Sequence, residues 1–296
     1  MNICACGDVM KALFFDLDGT LIDINQREVE VIYDTVNHFG VSVSRTRVKQ
    51  LCRQMPSYLD VFRKLGLELT ETAEKYWTST FVKKYQFSVL REGVESTLKD
   101  LSREHALVCV TSRETLAEVI RELRFLRIDR LFKYIVTRDV AAKSFGLSSL
   151  PFFPFHEQRR KLYECALGIV KCSPGKVVVI GDMASELRPA KEMGMITIGL
   201  ITYEARKYEL QNTSDFLISN IGQLKTVLSG GPNLPRMSSV PKARVRAINE
   251  KIGEKRVMIK DCEPEDTDEI VGILRVNNQY SFSQVDGPEA MKRIKA

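Results

Sequence analysis

KALFFDLDGTL, residues 11–21, decides how the rest of the chain is read. Its first half is a short apolar run of the kind that forms a strand buried on both faces. Its second half places two carboxylates, Asp16 and Asp18, where that strand must end, with one residue between them. Side chains at that spacing point the same way and can share one metal ion. Gly19 follows, where the chain can turn sharply. A solvated, Asp-rich turn would read the same way, so the meaning rests on what other segments bring to this place.

Five more apolar runs have strand character: ALVCV (106–110), YIV (134–136), KVVVI (176–180), MITIGL (195–200) and FLI (216–218). Between them run helical patterns, such as Val94, Leu98 and Leu101, or Leu116, Val119, Ile120 and Leu123. Val- and Ile-rich strands alternating with helices predict an α/β fold, a Rossmann-like parallel sheet covered on both faces. Ligands in such sheets bind at the carboxyl ends of strands.

The first crossover, 24–92, is too long for one helix and predicts an inserted helical domain. Val29, Ile32, Tyr33 and Val36 form one apolar stripe, and Val48, Leu51, Cys52 and Met55 a second. Ser57 opens a segment carrying Leu59, Phe62 and Leu65. Thr70 opens another with Ala73, Trp77, Phe81 and Tyr85 on one side. The aromatics Tyr76, Trp77 and Tyr85 are read as core of this module rather than a stacking platform. The domain expectation is a core of 9–23 and 93–230, a helical cap of 24–92, a linker of 231–256 and an extension of 257–296.

The chain has 296 residues, 44% hydrophobic and 28% charged, with no apolar run long enough to span a bilayer. MNICACGDVM at the start has neither a basic beginning nor a sustained apolar stretch, so no signal peptide is indicated. Seven scattered cysteines suit a reducing, cytoplasmic setting. Cys109 lies in an apolar run and reads as core, while Cys4 and Cys6 read as a frayed terminus rather than a metal pair. Residues 231–260 hold eight Lys/Arg against two Glu, which accounts for the whole net charge of +6. A neutral body with one basic segment argues against a dedicated nucleic-acid binder.

Two further strand ends give the first motif its meaning. ALVCV ends in Thr111-Ser112-Arg113, a hydroxyl and backbone N–H groups where a phosphoryl oxygen can dock, or alternatively the cap of a helix before Glu114. KVVVI ends in Gly181-Asp182, with Glu186 four residues on. Asp182 would complete an oxygen-rich magnesium site with Asp16, and Glu186 would orient a metal-bound water. A carboxylate is a useful nucleophile toward phosphorus when a divalent cation offsets anion repulsion. The second carboxylate can protonate the leaving oxygen and later deprotonate water.

DLDGTL, the strand ending in Thr111, and GDMASE together resemble the haloacid dehalogenase superfamily, in the phosphoglycolate-phosphatase-like subgroup with a helical cap after the first motif. The resemblance covers about residues 9–230. It implies Asp16 as nucleophile and Asp18 as general acid/base. It also implies Mg2+ held by Asp16, the backbone carbonyl of Asp18, and Asp182, with Thr111 and Ser112 at the phosphoryl group. Members that remove halide carry no carboxylate two positions after the nucleophile, so Asp18 favours phosphate chemistry. The family also places a lysine, usually in a Lys-Pro pair, before the helix leading to the last motif, and here that position holds Glu157. Lys143, Arg159, Arg160 and Lys161 are the candidate replacements. The role is assigned to Lys143, nearest the strand YIVTRD. Arg53 is the candidate contact for an acidic group of the substrate.

The tail VMIKDCEPEDTDEIVGILRVNNQYSFS resembles the first strand and helix of GNAT acetyltransferases, without the Gly-rich pyrophosphate loop. The expected function is hydrolysis of small phosphorylated metabolites, without a membrane partner. Two alternatives are a sugar phosphomutase of the same superfamily and a non-catalytic metabolite sensor binding a partner through its basic linker. The sensor requires that the site lack its cation.

Overall fold

The computed structural model describes residues 12–230, apart from 56–57, 69, 152–153 and 203–206. The strands are β1 (Ala12–Phe15), β2 (Ile22–Asp23), β3 (Val89–Leu90), β4 (Ala106–Val110), β5 (Tyr134–Val136), β6 (Val177–Gly181), β7 (Ile196–Leu200) and β8 (Phe216–Ile218). Six of them form one parallel sheet in the order β5-β4-β1-β6-β7-β8. Each expected strand is present, displaced by one residue at most. The basic segment 231–256, the acetyltransferase-like segment 257–296, and Cys4, Cys6 and Cys262 lie outside the described residues.

The strands read as continuous apolar runs because both faces are covered. Leu13 and Phe15 of β1 face α5 (Val94–Leu101), α6 (Leu116–Phe125) and α11 (Leu224–Leu228). Ala12 and Phe14 face the other way, into a layer built on α7 (Arg138–Ser144), α8 (Phe155–Val170), α9 (Ala184–Glu192) and α10 (Lys207–Thr213). Cys109 is fully buried in the first layer, as its apolar surroundings require.

Between β2 and β3 lie α1 (Asn25–His38), α2 (Arg45–Gln54), α3 (Tyr58–Lys64) and α4 (Glu71–Lys83). Val29, Ile32, Val36, Val48, Leu51, Val61 and Phe62 give this module a hydrophobic core of its own. Burying each such side chain is worth about 1.5–3 kcal/mol. Trp77 stacks on Tyr58 at 4.5 Å between ring centroids, and Tyr76 on His38 at 3.9 Å, so both aromatics serve packing. Thr70 caps α4 by accepting from the Ala73 N–H. Two details depart from the periodicity. Leu59 is exposed and Val61 takes its core place, and Tyr85 has left α4 for a 3-10 turn. Ser57 lies outside the described residues.

The antiparallel pair β2–β3 (Ile22↔Leu90, Asp23↔Val89) brings the chain back from the module at the point where it left. Arg91, next along, donates from Nε to the Gly19 carbonyl at 2.6 Å. No helix of the described residues is long and apolar enough to cross a membrane.

Candidate active site

Register puts the candidate residues at the same end of the sheet. Phe15 is paired with Cys109 of β4 and with Ile180 of β6, so Asp16, Thr111 and Asp182 each follow the carboxyl end of a neighbouring strand. Asp16 stays tied to the sheet through its N–H, which donates to the Ile180 carbonyl at 2.9 Å. The chain then folds back in a tight turn, with Leu21 N–H donating to the Leu17 carbonyl and Gly19 N–H to that of Ile22.

Gly19 is required at the apex for two reasons. Its φ is +87°, a conformation L side chains rarely adopt, and a Cβ there would sit 2.7 Å from both carboxylate oxygens of Asp182. The bare backbone is what lets Asp182 approach the first motif. Thr20 Oγ1 then donates to Asp182 Oδ1 at 3.0 Å and Thr202 Oγ1 to Oδ2 at 3.2 Å.

Asp16, Asp182 and Glu186 are all buried and each offers a carboxylate oxygen within 4.8 Å of the others. Against their three negative charges stands the guanidinium of Arg159, which is 1% exposed and donates through Nη2 to Asp16 Oδ1 and Glu186 Oε1. Its Nη1 donates to the Val110 carbonyl at 3.0 Å. With all three carboxyls ionised, two negative charges are left over, and Asp16 Oδ2 and Glu186 Oε2 are buried without a hydrogen-bond partner. A hard, oxygen-only donor set with unspent buried oxygens fits a divalent cation such as Mg2+. Burial pushes the Asp16 carboxyl from its ordinary 3.8 up to about 6; Arg159 opposes the rise and Asp182 adds to it. Burial likewise raises Glu186 well above its usual range, against the pull of Arg159.

Lys143 does not fill the cationic position assigned to it from sequence. It is exposed in the last turn of α7, whereas Arg159 points inward from the first turns of α8. The reason is helical phase: Arg159 continues the buried stripe of Leu162, Tyr163 and Ala166. Arg160 pairs with Glu164 on the surface, and the Lys161 ammonium lies 5.0 Å from the centre of the Phe145 ring. Of the four candidates, Arg159 is the one that is buried against Asp16 and Glu186.

Asp18 does not join the carboxylate cluster. Its side chain meets Arg113, whose Nε donates to Oδ2 at 2.7 Å while Nη2 contacts Oδ1. Burial works to raise the Asp18 carboxyl, but Arg113 outweighs it and the net shift is downward. Arg113 is also held from behind by Glu122, and Glu122 by Arg27.

Thr111 is buried, and its N–H is spent on the Val136 carbonyl at 3.0 Å rather than left free for a ligand. Its Oγ1 accepts from the Arg113 N–H at 3.3 Å. Ser112 Oγ is buried with no hydrogen-bond partner. Neither residue caps a helix, since α6 begins only at Leu116, whose N–H goes to Asp139. Arg53 is exposed in the last turn of α2.

Sequence reasoning passed over Arg113, Glu122, Arg27, Thr20 and Thr202. The signal available for Glu122 was its place beside Val119 and Leu123 on the buried side of α6; a charge there must be paired.

Fold and site together define a Rossmann-type core, with its candidate residues at the carboxyl ends of the central strands and helices inserted after the first. More particularly, the chain belongs to the haloacid dehalogenase-like hydrolase family, which it matches over residues 13–200. It is 21% identical over 221 residues to pyrophosphatase PpaX of Listeria welshimeri, covering 74% of this chain and 96% of that protein. It is 24% identical over 239 residues to glyceraldehyde 3-phosphate phosphatase of Pyrococcus furiosus, covering 74% and 93%. Among solved structures, a haloacid dehalogenase-like hydrolase from Streptococcus pneumoniae superposes with a TM-score of 0.59 at 21% identity, covering 73% of this chain and 97% of that one. The protein is a hydrolase of this family.

Proposed function

We propose that this hydrolase is a Mg2+-dependent phosphatase of small phosphorylated metabolites that works through an aspartyl-phosphate on Asp16. The observation that carries the reading is the cluster of Asp16, Asp182 and Glu186 oxygens within 4.8 Å, two residues from a second carboxylate at Asp18. Asp16 and Asp182 would hold the ion together with the Asp18 backbone carbonyl, with Glu186 orienting its water. When bound, the ion offsets the repulsion between the carboxylate and the phosphoryl oxygens and polarises the phosphorus.

In the first step an Asp16 oxygen attacks phosphorus and the ester bond breaks, while Asp18 would give the leaving oxygen a proton. Asp18 must take that proton up on substrate binding, because Arg113 holds its carboxyl ionised in the free protein. In the second, Asp18 takes a proton from water, the water oxygen attacks the phosphorus, and phosphate leaves with Asp16 restored. Arg159 fixes Asp16 through Oδ1. Thr111 and Ser112 would receive phosphoryl oxygens at the head of β4. The inserted helices would act as a cap that excludes water and reads the leaving group, with Arg53 as a candidate contact there.

The sensor alternative requires a site without its cation, and the buried guanidinium of Arg159 beside Asp16 and Glu186 weighs against it. The mutase alternative is separated by assay: a hexose 1-phosphate yields either an isomer or free phosphate. Asp16→Asn and Asp18→Asn are each expected to abolish Mg2+-dependent phosphate release from p-nitrophenyl phosphate. Wild-type turnover by Asp16→Asn would end the covalent reading. A panel of phosphorylated metabolites, with inorganic pyrophosphate and sugar phosphates included because of the relatives' activities, would name the substrate.

A further inference from the structure

Behind Asp18 runs a line of alternating charge that the proposed chemistry does not use. Asp18 is spanned by Arg113, Arg113 contacts Glu122, and Glu122 receives Arg27 Nη1 on both oxygens at 2.9 Å. Arg27 then donates from Nε to the Phe81 carbonyl at 2.7 Å and from Nη1 to Ser88 Oγ at 3.3 Å. Its guanidinium also lies 3.7 Å from the centre of the Phe81 ring. Arg27 and Glu122 are each 1% exposed at the side chain, and Arg113 is 9% exposed. The residues come from four places: the first motif, the loop after β4, the middle of α6 and the first turn of α1.

Burying an ion pair for stability alone is poor economy, because apolar side chains of the same volume do as well or better. What a buried chain of paired charges supplies is direction. Arg113 has a planar fork, and its far side is claimed by Glu122. Its near side is thereby aimed at both Asp18 oxygens. Without Glu122 the guanidinium would be free to turn toward any other carboxylate or toward a phosphoryl group. Arg27 in turn neutralises Glu122 and anchors it to the end of α4, which belongs to the inserted module.

We propose that Glu122 and Arg27 are positioning residues for the reaction, acting through Arg113 to fix the carboxylate of Asp18. The inference rests on the reading of Asp18 as the acid/base group. Displacing such a group by an ångström lowers the chemical step while leaving ground-state binding intact, by about ten- to a hundredfold.

The test uses the double variant Arg27→Met/Glu122→Met, which removes the pair as a neutral unit, and Arg113→Lys, which keeps the charge but lacks the fork. With Mg2+ and p-nitrophenyl phosphate, both are expected to lose about ten- to a hundredfold in kcat, with KM within about twofold of wild type. Asp18→Asn is measured beside them. If Asp18→Asn is inactive and either folded variant keeps wild-type kcat, the positioning role is overturned and the reading of Asp18 stands. A rise in KM equal to the fall in kcat also overturns it, since that marks a role in substrate binding. If Asp18→Asn itself keeps wild-type turnover, the underlying reading fails. Should the double variant not fold, Arg113→Lys decides alone.

Discussion

Replacing Arg159 by Met removes the one guanidinium shared by Asp16 and Glu186, at a point where none of the three is more than 4% exposed as a residue. Breaking a buried pair by deleting one partner costs about 3–5 kcal/mol, because the other charge is left uncompensated. Here two carboxylates are left, so the metal-free protein is expected to lose at least the lower end of that range in urea unfolding. Part of the loss returns when the carboxyls take up protons, which Asp16 already does near pH 6 with Arg159 present. Saturating Mg2+ supplies another part through linkage. Turnover suffers separately: removing one preorganised donor from a site of developing charge costs about 10²–10³ in kcat. Arg159→Lys keeps the charge but cannot reach Asp16, Glu186 and the Val110 carbonyl together, and is expected to lose about 1 kcal/mol for each hydrogen bond forgone. Lys143→Met is the control, with an effect within about 0.5 kcal/mol because Lys143 is exposed. Activity on p-nitrophenyl phosphate with urea titrations of all four proteins makes the assay. The reasoning is refuted if Arg159→Met matches wild type in both kcat and unfolding midpoint.

The remaining predictions are more local. Gly19→Ala places a methyl group 2.7 Å from the Asp182 carboxylate at a φ of +87°, so it should cost about 1–3 kcal/mol in stability and also weaken Mg2+ binding, measurable by calorimetry. Ser112→Ala removes a buried hydroxyl that has no partner, so thermal stability should hold or rise slightly, while affinity for inorganic phosphate falls about fivefold to tenfold. Mg2+ requires ionised ligands, and the Asp16 carboxyl is raised to about 6, so Mg2+ affinity should be level above that pH and fall about tenfold per pH unit below it. The sign for folding is the opposite in metal-free protein. A carboxyl with a folded pKa above its ordinary 3.8 contributes stability that is full below 3.8 and lost as pH rises through 6.

The sheet was legible because each strand is a short apolar run, a pattern forced by burial on two faces. Asp16 and Thr111 were legible because they stand one residue past two of those runs, and Asp182 because it stands two past a third. Arg159 was harder. The stretch from β5 to α8 has a length that no local rule fixes, so proximity to a strand favoured Lys143. Only the helical phase of Arg159 with Leu162, Tyr163 and Ala166 separates the buried cation from its exposed neighbours. Arg27 and Glu122 were hardest, because a charge within an amphipathic helix normally belongs to its solvated face. Their pairing spans 95 residues and exists only once α1 and α6 are packed together.

Phosphate carried by Asp16 is the step on which the account turns. Enzyme mixed with Mg2+ and p-nitrophenyl phosphate, quenched in acid within one turnover and digested, should show a phosphoryl group on the peptide containing Asp16, labile to hydroxylamine. Nitrophenol released in that interval with no adduct on this peptide at any quench time would contradict it.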